Sequence, residues 1–308
     1  MRMRTARVVG AAALVLVLAA GACGSSGGGT KKSSGTTVKK GSLTIGAFNF
    51  SESNTLAAIY GKALQAKGYT VSFRNNLGSR EIVEPALLKG DIDAYVTYAA
   101  TELTFLKGEA TSNVDETVTR LRDAYKPKGI NVLNASPAID ANAFAVTKAT
   151  ADKYNLKTMS DLKPAVATQM TLGGPPECPT RPFCQPGLEK TYGLKFKSFK
   201  PLDSGGPLSK NALANGDVDV ALIFSSDGAV TARNFVILED DKHLQNADNV
   251  VPVIRTTKLN SEIKSLWNAI SAKLTTADLQ KMNKSADIDK EDPDALAQTW
   301  LKDHGYAS

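Results

Sequence analysis

An α/β fold of two like lobes with a hinged cleft between them, its mostly parallel sheets flanked by helices, is predicted by three observations. The first is a passage that occurs twice. Leu-Lys-Gly-Asp-Ile-Asp-Ala-Tyr-Val-Thr-Tyr begins at Leu88, and Ala-Asn-Gly-Asp-Val-Asp-Val-Ala-Leu-Ile-Phe begins at Ala214, an offset of 126 residues. The same offset carries Gly90-Asp91-Ile92-Asp93 onto Gly216-Asp217-Val218-Asp219, Tyr98 onto Phe224 and Thr101 onto Asp227. Upstream, Gly78-Ser79-Arg80 falls on Ser204-Gly205-Gly206, so each copy reads as loop, short helix, Gly-Asp turn and buried strand. The second observation is the alternation of short apolar runs with amphipathic segments, the pattern of parallel sheets covered by helices. The third is a purely helical tail after Arg255, which most easily packs back on the first lobe. That return makes two chain crossings, and paired crossings form a hinge. Ligands of open α/β sheets bind beyond the carboxyl ends of the strands, and both copies of the repeat place an aromatic there.

The chain starts with a segment outside the fold. Arg2, Arg4 and Arg7 make a basic region, Val8 to Ala20 is apolar, and Ala20-Gly21-Ala22-Cys23 supplies small residues ending in cysteine. The apolar run is too short to span a bilayer, which favours a signal peptide over residues 1–22. The cysteine resembles that of a bacterial lipobox, with Ala20 where leucine is usual, so Cys23 is the candidate lipidation site. Ordinary secretion with an incidental Cys23 is the alternative. Gly24 to Lys40 is Gly, Ser, Thr and Lys with Val38 as its one apolar residue, a composition that cannot bury a core. Residues 23–40 therefore read as a lipidated flexible tether spanning roughly 20–25 Å. Lobe I is expected over 41–143 and 253–308, and lobe II over 144–252.

Within lobe I, Leu43 to Ala47 alternates as a strand, and a helix follows from Asn54, the expected N-cap, to Gly68 with Leu56, Ile59, Tyr60, Ala63 and Leu64 on one face. Val71 and Phe73 mark the next strand, the first repeat copy follows, then an amphipathic helix from Val114 to Lys126 and strands at Ile130-Val132 and Ala143-Val146. Ser160-Asp161-Leu162 is a helix start. A helix near Pro186 to Tyr192, a strand at Phe196 to Phe199 and the second copy come next, with strands at Phe235-Leu238 and Val251-Arg255. Ile263, Leu266, Trp267 and Ile270 share one face of a later helix, and Leu296, Trp300 and Leu301 share another.

Composition narrows the function. The net charge of +6 falls to +3 when Arg2, Arg4 and Arg7 leave with the signal, and Lys31, Lys32, Lys39 and Lys40 lie in the tether. The folded body is close to neutral and has no clustered basic face for nucleic acid. Cys178 and Cys184 flank a proline-rich loop, and in an exported protein such a pair is most simply a disulfide. A metal is the alternative, but two thiols with no nearby histidine fall short of four ligands. His243 and His304 are the only histidines, neither accompanies a nucleophile motif, and Gly173-Gly174-Pro175-Pro176 has prolines where a phosphate loop needs donors. No cofactor or metal is expected, and an enzyme is the disfavoured class.

Ile45-Gly46 with Asn49-Phe50-Ser51-Glu52, then Asn76-Leu77-Gly78-Ser79-Arg80-Glu81-Ile82-Val83, Gly90-Asp91-Ile92-Asp93, Tyr98 with Thr101, Ser225-Ser226-Asp227-Gly228 and Val236-Ile237-Leu238-Glu239-Asp240-Asp241-Lys242 resemble the binding proteins of the glycine betaine, choline and carnitine ABC importers. The resemblance covers nearly all the chain from Gly41. It implies the type II periplasmic-binding-protein fold and, taken with the lipidated tether, an extracytoplasmic, lipid-anchored protein, expected as a monomer, that captures a quaternary ammonium osmoprotectant and delivers it to a membrane permease. It also implies an aromatic cage, in which Tyr98 stands at the tyrosine of a Tyr-Thr-Gly-Thr motif, here Tyr98-Ala99-Ala100-Thr101, and Phe144 and Phe224 replace family tyrosines. Arg181 falls near the family's arginine for a ligand carboxylate. Ser79, Asn49 and Asp203 complete the candidate ligand contacts, with helix capping the preferred reading of Asp203.

The chemistry agrees with the resemblance. A tetraalkylammonium donates no hydrogen bonds and is held by ring faces, each contributing about 0.5–2 kcal/mol. Core packing is the competing fate of Tyr98, Phe224 and Phe144. A larger, less polar ligand and a sensory binding protein are the other readings.

Overall fold

The computed structural model describes residues 40–306 apart from Ala229. Residues 1–22, Cys23 and all of the tether except Lys40 lie outside the described residues. In the first part of the body β1 (Ser42–Gly46) leads through α1 (Ser51–Ala66) to β2 (Thr70–Arg74), and α2 (Arg80–Lys89) returns the chain to β3 (Ala94–Tyr98). Then come α3 (Ala99–Phe105), α4 (Val114–Tyr125) and β4 (Ile130–Val132). The second part comprises β5 (Asn142–Thr147), α5 (Lys148–Tyr154), α6 (Pro164–Ala167), β6 (Thr171–Gly174), α7 (Gln185–Gly187), β7 (Ser198–Pro201), α8 (Pro207–Ala214), β8 (Val220–Phe224) and β9 (Phe235–Leu238). β10 (Val250–Arg255) and helices α9 (Ser261–Ser271), α10 (Thr276–Lys284) and α11 (Pro293–Asp303) end the chain.

Two five-stranded sheets result, with orders β2-β1-β3-β10-β4 and β7-β6-β8-β5-β9. The repeat is their common frame. α2 and β3 correspond to α8 and β8, and both Gly-Asp turns need glycine, since Gly90 (φ 87°) and Gly216 (φ 76°) are left-handed. The second aspartate of each turn fastens its strand to a neighbour: Asp93 Oδ2 accepts from the Thr44 amide at 2.9 Å, and Asp219 Oδ2 from the Thr171 amide at 2.8 Å. The likeness extends beyond the repeated passage, because hydroxyl pairs Thr44–Ser72 (3.0 Å) and Thr171–Ser198 (2.9 Å) occupy matching edges.

The sheets are mixed rather than mostly parallel. β1 pairs in parallel with β2 and β3, and β6 with β7 and β8, but β10 runs antiparallel to β3 and β4, and β5 antiparallel to β8 and β9. β5 and β10 are the strands by which the chain arrives from the other sheet, so they need no helical crossover to join their new one. The two passages lie side by side, tied by the antiparallel bridge Ile139–Asn249.

Asn54 is not the N-cap of α1. The helix starts at Ser51, three residues earlier, where the Ser53 hydroxyl accepts from the Phe48 amide at 2.8 Å, and Asn54 turns its side chain to Asn76. The tail packs on the first sheet's core: Trp267 is 1% exposed, meets the Tyr60 ring edge-on at 5.5 Å and donates to the Tyr60 carbonyl. No helix among the described residues is long and apolar enough to cross a membrane.

Candidate functional site

The loop after β1, the ends of β3 and β8, and the loop after β6 converge from the two sheets on a cavity of about 280 Å³. Its aromatic lining comes from both sides. Phe48 stacks on Phe50 at 5.8 Å, and Phe50 lies 6.3 Å from the Tyr98 ring and 5.6 Å from the Phe224 ring, centroid to centroid. Tyr98 and Phe224 thus hold the equivalent strand ends that the repeat predicts, but Phe50 bridges them where direct opposition was expected. Phe105 and Phe183 add further ring surface to the cavity.

The six remaining candidates separate into two groups. Thr101, Ser79, Asn49 and Arg181 line the cavity with Tyr98 and Phe224. Phe144 does not: it is 3% exposed in the second sheet's core, opposite Leu222 and Leu238, because it sits one pleat deeper along β5 than the cavity-lining Asn142. Asp203 is also absent from this cavity. Its two carboxylate oxygens accept the Leu208 and Ser209 amides at 2.9 Å each, capping the start of α8. It borders an adjoining cavity of about 340 Å³ that shares Phe50 and Phe224 with the first.

Cys178 and Cys184 form a disulfide with Cα atoms 5.2 Å apart, and the loop they close carries Arg181 across the cleft. There one Arg181 nitrogen lies 2.8 and 2.9 Å from the two oxygens of Glu81, and the guanidinium rests 5.9 Å from the Phe105 ring centre. A protein carboxylate occupies the partner role expected for a ligand's. Burial alone would raise the Glu81 carboxyl, but hydrogen bonds, first from Ser79, and the Arg181 charge hold it below the usual range.

Beneath the rings lie polar groups that sequence reading did not assign. Glu52, on α1, accepts from the Tyr98 hydroxyl at 2.6 Å, from Ser226 at 2.7 Å and from Asn283 of α10 at 2.5 Å. Ser226, just past β8, also lies 2.6 Å from Asp140, on the first chain crossing. Burial raises Glu52, and burial together with the Glu52 charge lifts Asp140 well above the ordinary carboxylate range. On the second crossing Asp248 accepts from the Thr101 amide and hydroxyl at 2.7 and 2.5 Å, and burial lifts it to about 6. Arg80 is buried against Phe48, 5.1 Å from the ring centre, with Nε 2.7 Å from Glu102, which also accepts from Thr97, Tyr95 and Tyr125. Phe50 and Glu52 stand in the Asn-Phe-Ser-Glu passage singled out from the sequence, whereas Asp140 and Asp248 carry no periodic signal. No cluster of potential metal ligands occurs among the described residues.

A family model described as the substrate binding domain of ABC-type glycine betaine transport systems matches residues 41–303. The carnitine transport binding protein OpuCC of Listeria monocytogenes is 29% identical over 274 residues, covering 87% of this chain and 88% of its own. A glycine-betaine-binding protein of Pseudomonas aeruginosa is 26% identical, covering 85% of this chain and 88% of its own. Among solved structures, one of a glycine betaine/carnitine/choline ABC transporter superposes with a TM-score of 0.69 at 29% identity, over 86% of this chain and 99% of that one. Lactococcal OpuAC closed on glycine betaine shares the fold at a TM-score of 0.60 and 17% identity, over 86% of this chain and 96% of that one.

Proposed function

We propose, since the chain belongs to the family of substrate-binding domains of ABC-type glycine betaine transport systems, that it captures a quaternary ammonium compound in the cleft between its two sheets and delivers it to a membrane permease. The family's members are transport substrate-binding proteins acting outside the cytoplasm, not enzymes. The observation that supports this ligand is the ring system Phe48, Phe50, Tyr98 and Phe224, contributed by both sides of one cavity. Ring faces attract a cation that has no hydrogen to donate, and the attraction strengthens as closure removes water. The adjacent crossings at Ile139 and Asn249 serve as the hinge. Tyr98, Phe224 and Phe50 hold the ammonium group, with Thr101, Ser79 and Asn49 as polar contacts in the same cavity. Cys23 carries the lipid that keeps the protein at the outer face of the membrane, as a monomer beside its permease.

A thermal-shift screen with glycine betaine, choline, carnitine and proline betaine tests the reading, since ligand at a hundred times its dissociation constant adds about 2.7 kcal/mol of stability. Phe50→Ala should abolish the shift given by the best ligand while leaving a cooperative melt. An unaltered shift in that variant would place the ligand elsewhere. The adjoining cavity, which shares Phe50 and Phe224, favours a second reading in which a larger amine reaches across both. A shift with longer-chain amines but none with the small ones would select it.

A further inference from the structure

Resting on that reading of the cleft, we propose that this chain selects a net cation that carries a hydrogen-bond donor and no carboxylate, and discriminates against zwitterions. Charge sets the preference. Both guanidinium groups that line the cavity already hold protein carboxylates. Arg80 is locked to Glu102 at 2.7 Å with both side chains buried, and Arg181 spans the two oxygens of Glu81 at 2.8 and 2.9 Å, with Ser79 donating to the same carboxylate at 2.6 Å. A ligand carboxylate that took Arg80 would strand the fully buried Glu102, and one that took Arg181 would have to displace Glu81.

The surplus charge is negative. Glu52 and Asp248 are both buried, and their partners are hydroxyl and amide groups, with no lysine or arginine pairing with either among the described residues. A hydroxyl has one proton to give, yet Ser226 Oγ lies within hydrogen-bond distance of both Glu52 (2.7 Å) and Asp140 (2.6 Å). One of the two acids must therefore supply the second proton. Glu52 already has the Tyr98 and Asn283 donors, so it is the anion, and Asp140 carries the proton. The neutral Asp140 keeps one oxygen, Oδ2, buried and without any protein donor. Since Asp140 borders the cavity, that oxygen is an acceptor for a hydroxyl on the ligand. The rings meet the ammonium group, the carboxylates outnumber the cations, since Arg80 reaches Asp248 electrostatically but is already bound to Glu102, and an acceptor waits for the ligand's polar end. Beside buried carboxylates a negative charge on the ligand is repelled more strongly than in water.

Choline and glycine betaine share the trimethylammonium head and differ in carrying a hydroxyl or a carboxylate, so they are the probes. Titration calorimetry on the whole chain in detergent at pH 7.5 should give choline at least tenfold tighter binding than glycine betaine. Asp248→Asn should weaken choline several-fold and shrink the ratio, and Glu52→Gln should act the same way if the first variant melts at too low a temperature to titrate. Arg181→Ala should weaken both probes alike, because it removes a bond across the cleft and not a ligand contact. Glycine betaine binding as tightly as choline to the parent chain would overturn the charge rule while sparing the aromatic cleft, as would an Arg181→Ala loss confined to betaine. Binding of neither probe would overturn both.

Discussion

Replacing Tyr98 by phenylalanine separates the two jobs that the cleft assigns to one side chain. The ring faces the cavity beside Phe50, while the hydroxyl reaches 2.6 Å to the buried carboxylate of Glu52. Tyr98→Phe keeps the ring and removes one of the donors that stabilise a buried anion. A hydrogen bond to a charged group contributes about 1.5–3 kcal/mol, and Glu52 retains Ser226 and Asn283, so the expected loss of stability is about 2 kcal/mol. For a body of this size each kcal/mol moves the melting temperature by about 2–4 °C, which makes the shift about 4–8 °C. Binding should change far less, because ring area is conserved. Tyr98→Ala removes the ring as well, and the lost cation–π contact of about 1–2 kcal/mol should weaken a quaternary amine roughly ten- to thirtyfold. Scanning calorimetry reads the first effect and titration calorimetry the second. The reasoning about the hydroxyl is refuted if Tyr98→Phe melts with the parent, and the reasoning about the ring is refuted if Tyr98→Ala melts low yet binds with parental affinity.

Three further outcomes are expected. Burial raises Asp248 from 3.8 to about 6, so its negative charge is present above that value and lost as pH falls through it. Affinity for choline should accordingly climb between pH 5 and 7 and then level, and titrations showing a flat or falling profile would contradict the role given to Asp248. Alkylation without reductant should leave Cys178 and Cys184 unmodified, and Cys184→Ser should lower stability by about 2–2.5 kcal/mol from the closed loop. Cys23→Ala should release the protein from the membrane fraction, and retention there would exclude Cys23 as the anchor.

The parts of the fold that were legible in the sequence are those enforced locally. Glycine is required at positions 90 and 216 because the backbone is left-handed there, and an aspartate three residues on can fasten the next strand to its neighbour. These constraints act within about fifteen residues, so they survive as a readable repeat, and they place Tyr98 and Phe224 at equivalent strand ends. What lies between the two sheets obeys no such local rule. Arg181 finds Glu81 from 100 positions away, and Asn283 meets Glu52 across 231. Phe144 shows the opposite failure: an aromatic on a strand end was legible, but the depth of one pleat decides between core and cavity, and that depth depends on where β5 enters its sheet.

The divergence of the two copies is as informative as their likeness. β1 and β6 play the same part, each parallel to both neighbours and each followed by a loop at the cleft. After β1 that loop supplies Phe48, Phe50 and, on entering α1, Glu52. After β6 it supplies the disulfide and Arg181. One half of the repeat has come to present rings backed by an anion, and the other a rigid arm whose cation closes onto Glu81. Strand-end aromatics inherited by both halves would make a symmetrical slot with no charge preference. The asymmetry enters through the loops, which a packed sheet tolerates in any sequence, and it is there that substitutions able to change the ligand without unfolding the protein belong.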